Sequence, residues 1–273
     1  MPTTAQEMIS EWLETCEVAA RAGAEQLLAW RGRFQTREKG EADLVTDADL
    51  ASQRAIQAVI SERYPEHAFI GEEQTGSSTA RDEDKFAWVV DPLDGTTNYV
   101  HGHPDYAVSV AIARGQQLLA GVVYDPLRDE CYTAAEGRGA WRNGKRLNVS
   151  DVTKLADALV AVSLPARVQR DAPDLLDFVE IVQLAQSVRR SGSAALNLAQ
   201  VASGALDGYW ASHIKPWDVA AGVLLVREAG GVVTGRNGAE FDLWNPHFVA
   251  SACSVLQTEI LGVLRPFSPP NLR

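Results

Sequence analysis

Asp91-Pro92-Leu93-Asp94-Gly95-Thr96-Thr97-Asn98 follows directly on the apolar run Phe86-Ala87-Trp88-Val89-Val90. A short run rich in β-branched and aromatic residues, bounded by charge and turn formers, reads as a buried strand. Two carboxylates three residues apart therefore leave the core and enter a turn rich in Gly and Thr. Burying two like charges together is costly unless a cation neutralises them. A hard divalent ion such as Mg²⁺ takes oxygen ligands and keeps several waters, so a few carboxylates beside a phosphate suit it. Gly95, Thr96 and Thr97 can offer backbone N–H groups to a phosphate oxygen at the start of a helix or turn. Alone, the same segment also reads as a turn at Asp94-Gly95 with Asp91 as a cap.

Outward from this strand the pattern is mixed. Upstream, Ile9, Trp12, Leu13, Cys16, Ala19, Ala20, Ala24, Leu27 and Leu28 recur at spacings of three and four, one apolar face of a long helix. A second helix opens near Asp49, carries Ala55, Ile56, Val59 and Ile60, and stops before Pro65. Ala68-Phe69-Ile70 is a further strand. Downstream, Tyr106 to Ala113, Leu118 to Tyr124, Cys131 to Ala134 and Ala140 to Arg142 read as successive strands, with Asn143-Gly144 as a hairpin turn. This half is α+β with an antiparallel sheet. From about residue 150 strands and helices alternate, from Ala158 to Ser163 through Val219 to Ala229 and on to Val255 to Leu264, an α/β half. The expected division is 1–148 and 149–273, with a soft boundary near 145–155 and a site in the cleft between.

Composition narrows the function. With 46% hydrophobic and 22% charged residues the chain can bury a sizeable core. A net charge of -11 without a dense basic run argues against nucleic-acid binding. No apolar run approaches the roughly 18–20 residues of a membrane span, so a soluble protein without membrane contact is expected. Cys16, Cys131 and Cys253 are odd in number and lack metal-ligand spacing, which fits a reduced cytoplasm.

Three more acidic segments accompany the central one: Asp43-Leu44-Val45-Thr46-Asp47-Ala48-Asp49, Gly71-Glu72-Glu73 and Trp217-Asp218. Each alone reads as a helix cap or a solvated acid. Together, in this order and spacing, Asp91-Pro92-Leu93-Asp94-Gly95-Thr96-Thr97, Gly71-Glu72-Glu73 and Trp217-Asp218-Val219-Ala220-Ala221-Gly222 resemble the inositol monophosphatase family of lithium-sensitive, Mg²⁺-dependent phosphatases over nearly the whole chain. The resemblance implies a layered αβαβα sandwich. It implies two to three Mg²⁺ ions: one on Glu72, Asp91 and the Leu93 carbonyl, a second on Asp91, Asp94 and Asp218, and a weaker third near Glu72. It makes Glu72, Thr96 and Asp49 catalytic, the last two by positioning the attacking water, with Asp47 a weaker candidate. Metal-activated water would then attack in line, with no phospho-enzyme. Gly95 and Thr96 would meet the phosphate, and Gly192, Ser193 and Ala194 would meet the alcohol. Lys39 matches a basic position of the family but stays outside the catalytic set, and His101 and His103 are read as loop or surface residues rather than ligands.

The substrate implied is a small phosphate monoester, inositol 1-phosphate or a related polyol or sugar phosphate, hydrolysed by a homodimer. Fructose 1,6-bisphosphate, a bisphosphate nucleotide, histidinol phosphate and a catalytically silent interaction role are the alternatives. One departure bears on this choice. Inositol-selective members usually place a Glu seven residues before the metal-binding Asp, where this chain has Ala211. Without that acceptor the preference should broaden, or shift if Ser212 or His213 fills the gap.

Overall fold

The computed structural model describes residues 5–40, 43–73, 85–165 and 167–265. Five layers alternate. Helices α1 (Ala5–Trp30) and α2 (Asp47–Arg63) cover one face of a seven-stranded sheet whose strands follow chain order: β3 (Ala68–Gly71), β4 (Phe86–Asp94), β5 (Ala107–Arg114), β6 (Gln117–Asp125), β7 (Glu130–Ala135), β8 (Ala140–Arg142) and β9 (Lys145–Arg146). Helices α5 (Ala194–Ala202) and α6 (Pro216–Glu228) fill the space between that sheet and a five-stranded one in the order β11 (Ser187–Arg189), β10 (Leu159–Ser163), β12 (Gly208–Ala211), β14 (Phe248–Ser251), β13 (Val232–Gly235). Helices α4 (Pro173–Leu184) and α7 (Ser254–Val263) close the outer face. This is the αβαβα sandwich expected.

The pleat explains the layering, because successive side chains in a strand face opposite sides. On β4 (Phe86–Asp94), Trp88 and Val90 enter the core under α1 and α2, while Val89 enters the one shared with α5 and α6. On β12 (Gly208–Ala211), Tyr209 and Ala211 face α5 and α6, and Trp210 faces α4 and α7. Each sheet is covered on both faces, so its strands read as continuous apolar runs.

The helix contacts are set by small residues. A side chain on Gly23 would meet Ile56 and Ser52 of α2 at 2.7 Å, and one on Gly121 of β6 (Gln117–Asp125) would stand 2.9 Å from the Ala221 backbone of α6. These close approaches fix the two helices that carry Asp49 and Asp218. Along α1 Trp12, Cys16, Ala19, Ala20, Ala24 and Leu27 of the expected apolar face are buried and Ile9 and Leu13 half-buried, but Leu28 lies 44% exposed at its edge.

Two features differ from the expected pattern. β1 (Thr36–Gly40) and β2 (Asp43–Thr46) form an antiparallel pair ahead of α2; β1, Thr-Arg-Glu-Lys-Gly, has no apolar alternation to announce it. The seven-stranded sheet is antiparallel except at its edge, where β3 (Ala68–Gly71) runs parallel to β4. That exception aligns the carboxyl ends of β3 and β4, so Glu72 and Asp91 emerge side by side. No helix of the described residues is long and apolar enough to cross a membrane, and the three cysteines are free thiols.

Candidate active site

Asp91 and Asp94 share a side of the sheet because β4 is bulged between them. In a regular strand residues three apart face opposite ways. Here Asp91 pairs with Ser109 and Asp94 with Ala107, so three steps on β4 match two on β5 (Ala107–Arg114), and the extra residue re-aims Asp94. Pro92, unable to donate to the ladder, sits in the bulge. Its carbonyl accepts from Ser52 Oγ of α2 at 2.9 Å, and Leu93 N donates to Asp91 Oδ1 at 2.9 Å.

The other acids reach this point along short bonded paths. Glu72 N donates to the Val90 carbonyl at 3.2 Å, one residue before Asp91. Ser109, the partner of Asp91, donates from Oγ to the Trp217 carbonyl at 3.2 Å, which brings the first turn of α6 and Asp218 to β5. Asp218 Oδ2 accepts from Lys215 N at 2.9 Å, the backbone arm of a capping box. Asp94 ties β4 to α5: it accepts from Ser193 Oγ, from Ala194 N at 3.2 Å and from Ala195 N at 2.7 Å, at the start of that helix.

Electrostatically the four acids form one group. Burial, then Glu72, Asp94 and Asp218, push the Asp91 carboxyl well above its ordinary range. Burial followed by Asp94 does the same for Asp218, with Glu72 adding to it. Burial raises Asp94 to about 6, although its hydrogen bonds from Ser193, Ala195 and Ala194 all favour the charged form. Desolvation outweighs three donors. An all-oxygen set of mutually repelling acids, Asp91 and Asp94 buried and Glu72 and Asp218 half-buried, suits a hard divalent cation. Among the described residues no three His, Cys, Asp or Glu side chains already stand as a metal cage; Asp94 accepts from the start of α5 and Asp218 from Lys215 N. The donor set thus fits a cation that keeps much of its water, as Mg²⁺ does.

The Thr96–Asp49 pair is in place. Thr46 caps α2 and Asp49 completes the capping box, its Oδ2 accepting from Thr46 N at 2.9 Å and Thr46 Oγ1 at 2.5 Å. The other oxygen, Oδ1, faces Thr96 Oγ1 at 3.3 Å; that hydroxyl also lies 3.1 Å from the Leu93 carbonyl. Asp47 is elsewhere, bonded to Arg37 Nη2 at 2.7 Å and Gln35 N at 3.2 Å. His101 and His103 are exposed. Lys39 lies in β1, and its side chain is outside the described part.

Gly95 caps the short helix α3 (Thr96–Val100) in the left-handed region, φ +96°, with no side-chain cap on its N–H groups. A Cβ there would lie 2.9 Å from the Asp105 carbonyl oxygen. Gly95→Ala is expected to cost about 1–3 kcal/mol of stability, read by denaturant unfolding with the midpoint shifted and the slope unchanged.

A cavity of about 540 Å³ opens beside the acids, lined by Asp94 and Asp218 and, among others, by Gly192, Ala194, Arg190 and His213. Gly192 and Ala194 are where the alcohol was expected. Ser193 is not: it is fully buried, its Oγ donating to Asp94 and accepting from Leu196 N at 3.2 Å as the cap of α5. Ala211 does not line the cavity either; it is buried at the end of β12, and Ser212 and His213 stand at the cavity wall. Asn98 went unassigned in the sequence reading. Its Nδ2 donates to the Asp105 and Ser191 carbonyls, at 2.6 and 2.8 Å, and so ties the metal-loop segment to the turn before α5. Its place in the Asp91–Asn98 segment was the available signal.

Comparison with known proteins agrees with this arrangement. The model of the inositol monophosphatase family matches residues 8–266. A protein of Pasteurella multocida named Nus factor SuhB is 43% identical over 86% of this chain and 88% of its own length. An inositol-1-monophosphatase of Synechocystis is 39% identical over 89% and 85%. The solved inositol monophosphatase of Anabaena superposes with a TM-score of 0.83 at 34% identity, covering 95% of this chain and 98% of its own.

Proposed function

The chain belongs to the inositol monophosphatase family, and from that premise we propose that it hydrolyses a small phosphate monoester, inositol 1-phosphate or a related polyol or sugar phosphate, in a Mg²⁺-dependent reaction. The observation that carries this reading is the convergence of Glu72, Asp91, Asp94 and Asp218 from β3, β4 and α6 beside the Thr96–Asp49 pair. Glu72, Asp91, the Leu93 carbonyl, Asp94 and Asp218 would hold two to three Mg²⁺ ions. Bound there, Mg²⁺ would activate a water, clamp the phosphate oxygens and neutralise the leaving alkoxide.

The residues of the chain account for the rest. A Thr96 hydroxyl that gives its hydrogen to Asp49 keeps lone pairs free to accept one from the attacking water, and Thr46 holds Asp49 in register. The uncapped N–H groups at Gly95 and Thr96 meet a phosphate oxygen. Attack falls to water in this reading because a metal-activated water needs no protein nucleophile. The test is phosphate release from inositol 1-phosphate, glycerol phosphates and nucleoside monophosphates with and without Mg²⁺. Hydrolysis that needs the ion is expected; no release from any ester would sink the reading.

Two ion effects follow. Li⁺ should inhibit in a Mg²⁺-dependent manner and Ca²⁺ should compete with Mg²⁺, since a loosely held ion must let product phosphate go. Rates indifferent to both ions across a wide titration would remove the lithium-sensitive assignment. Stability should also depend on pH. The pKa of Asp94 is raised on folding, so its contribution is complete below the ordinary value of 3.8 and is lost as pH rises through about 6. Asp91 and Asp218 act in the same sense. In EDTA the melting temperature is expected to be lower at pH 8 than at pH 5, and Mg²⁺ should raise it more at pH 8.

We also propose that two copies associate, as a homodimer. Helix α4 exposes Leu176, Val179 and Val182, spaced three apart, and Leu184 to solvent, and exposed apolar surface of this kind can serve association. Light scattering should give twice the chain mass of 29.6 kDa. A monomer would overturn this assignment.

A further inference from the structure

The turn that carries Gly192 is pinned to the metal-loop segment on both sides of that residue. After it, Ser193 Oγ donates to Asp94. Before it, the Ser191 carbonyl accepts at 2.8 Å from Nδ2 of Asn98, which lies further along the same segment as Asp94. The second Nδ2 hydrogen goes to the Asp105 carbonyl at 2.6 Å. Turning this amide over would set its oxygen against two carbonyl oxygens, so the pair of bonds fixes which way round it lies. Ser191 is also held from α5, its Oγ donating to Asn197 Oδ1 at 2.7 Å. The Asn98 amide is therefore anchored, and both of its hydrogens are committed.

Its oxygen is not committed. Among the described residues no group donates to Asn98 Oδ1, and the atom is not buried. Asn98 lines the same cavity as Asp94, Gly192 and Ala194. Gly192 keeps the amide uncovered, because a Cβ there would stand 2.9 Å from Asn98 Nδ2 and 3.1 Å from Oδ1. Its φ of +90° suits glycine as well. The residue expected to meet the alcohol is thus the one whose bare Cα leaves Asn98 open to the cavity. The spacing suits a small molecule. Two residues of chain span at most about 7 Å, so Ser191, held by Asn98, and Ser193, held by Asp94, lie within the length of an alcohol of a few carbons. The acceptor that position 211 could carry is missing, since Ala211 is buried and apolar. An amide oxygen accepts up to two hydrogen bonds and, being neutral, adds no repulsion towards a phosphate.

We propose that Asn98 is a specificity-determining residue whose Oδ1 accepts a hydrogen bond from a hydroxyl of the substrate's alcohol. The inference rests on the phosphatase reading above and adds to it a group that reads the alcohol. Two matched pairs of esters, each differing only in hydroxyls, test it: inositol 1-phosphate against cyclohexyl phosphate, and glycerol 3-phosphate against propyl phosphate. In the natural protein kcat/KM should favour the hydroxylated member by about tenfold or more. In Asn98→Ala that ratio should fall about tenfold. Loss of the two carbonyl bonds slows both members of a pair alike, so a role confined to holding the turn would leave the ratio where it was. An unchanged ratio, or a ratio near one in the natural protein, overturns the proposal. Failure to hydrolyse any of the four esters in Mg²⁺ counts against the phosphatase reading, and a second measurement then decides on Asn98. It uses only the natural protein and so also serves if Asn98→Ala does not fold. In nitrogen–proton correlation spectra recorded in Mg²⁺, the side-chain amide signals of Asn98 should shift on titration with myo-inositol and stay in place with cyclohexanol. No shift with myo-inositol, or the same shift with both alcohols, overturns the inference.

Discussion

Asp91→Asn is expected to lower kcat/KM by at least ~10³-fold, beyond the ~10²–10³ typical of deleting one transition-state hydrogen-bond donor. The substitution removes the charge at the centre of the acidic group while keeping the shape and the Oδ1 acceptor that Leu93 N uses at 2.9 Å. The fold therefore has no reason to change. In the metal-free protein it should be more stable at pH 8, because burial and three neighbouring acids all penalise the charged form of Asp91. The gain in melting temperature on adding Mg²⁺ should shrink with the activity, since a ligand stabilises only the state that binds it. A folded Asp91→Asn protein with near-normal Mg²⁺-dependent hydrolysis would remove Asp91 from the site.

Much of this site is legible in the sequence because its acids sit where local patterns change. Asp91 and Asp94 end an apolar run, Glu72 ends another, and Asp218 opens a helix of small and apolar residues, so strand and helix boundaries alone bring all four to the edges of elements. What the pattern does not contain is how the elements meet. The parallel pairing of β3 with β4 depends on long-range register, yet it sets Glu72 beside Asp91. The bulge at Pro92-Leu93 is hinted at by the proline, but only pairing with β5 reveals that it turns Asp94 to the side of Asp91. The family resemblance makes Ser193 a substrate contact with Gly192 and Ala194; in the fold its hydroxyl donates to Asp94 and caps α5, and the approach of Asp94 from β4 is encoded by no spacing rule. The ends of β10, β11 and β12 lie far apart in the chain, so the cavity wall that the residues after them form exists only in the folded sheet.

Asp94→Ala should behave differently from Asp91→Asn, losing both activity and stability. In the sequence Asp94 is a second ligand beside Asp91; in the fold it is also the acceptor on which α5 begins. Removing it leaves Ser193 Oγ and the Ala195 N–H, both buried, without their partner, and takes the Asp94 acceptor from Ala194 N. Each buried donor left unsatisfied costs about 1–3 kcal/mol. Against this stands relief of the desolvation that raises Asp94 to about 6, worth less once Mg²⁺ neutralises the site. The net expectation is a loss of roughly 2–4 kcal/mol in Mg²⁺ at pH 8, together with a fall in kcat/KM of at least ~10³-fold. Because Ala194 lines the cavity and Asn98 bonds the Ser191 carbonyl at 2.8 Å, slackening at the start of α5 should also loosen the wall facing the alcohol. Denaturant unfolding and hydrogen exchange at Ala194 to Leu196 separate the two roles. An Asp94→Ala protein as stable as the natural one, with those amides equally protected, would show that α5 does not depend on this carboxylate and that Asp94 serves the site alone.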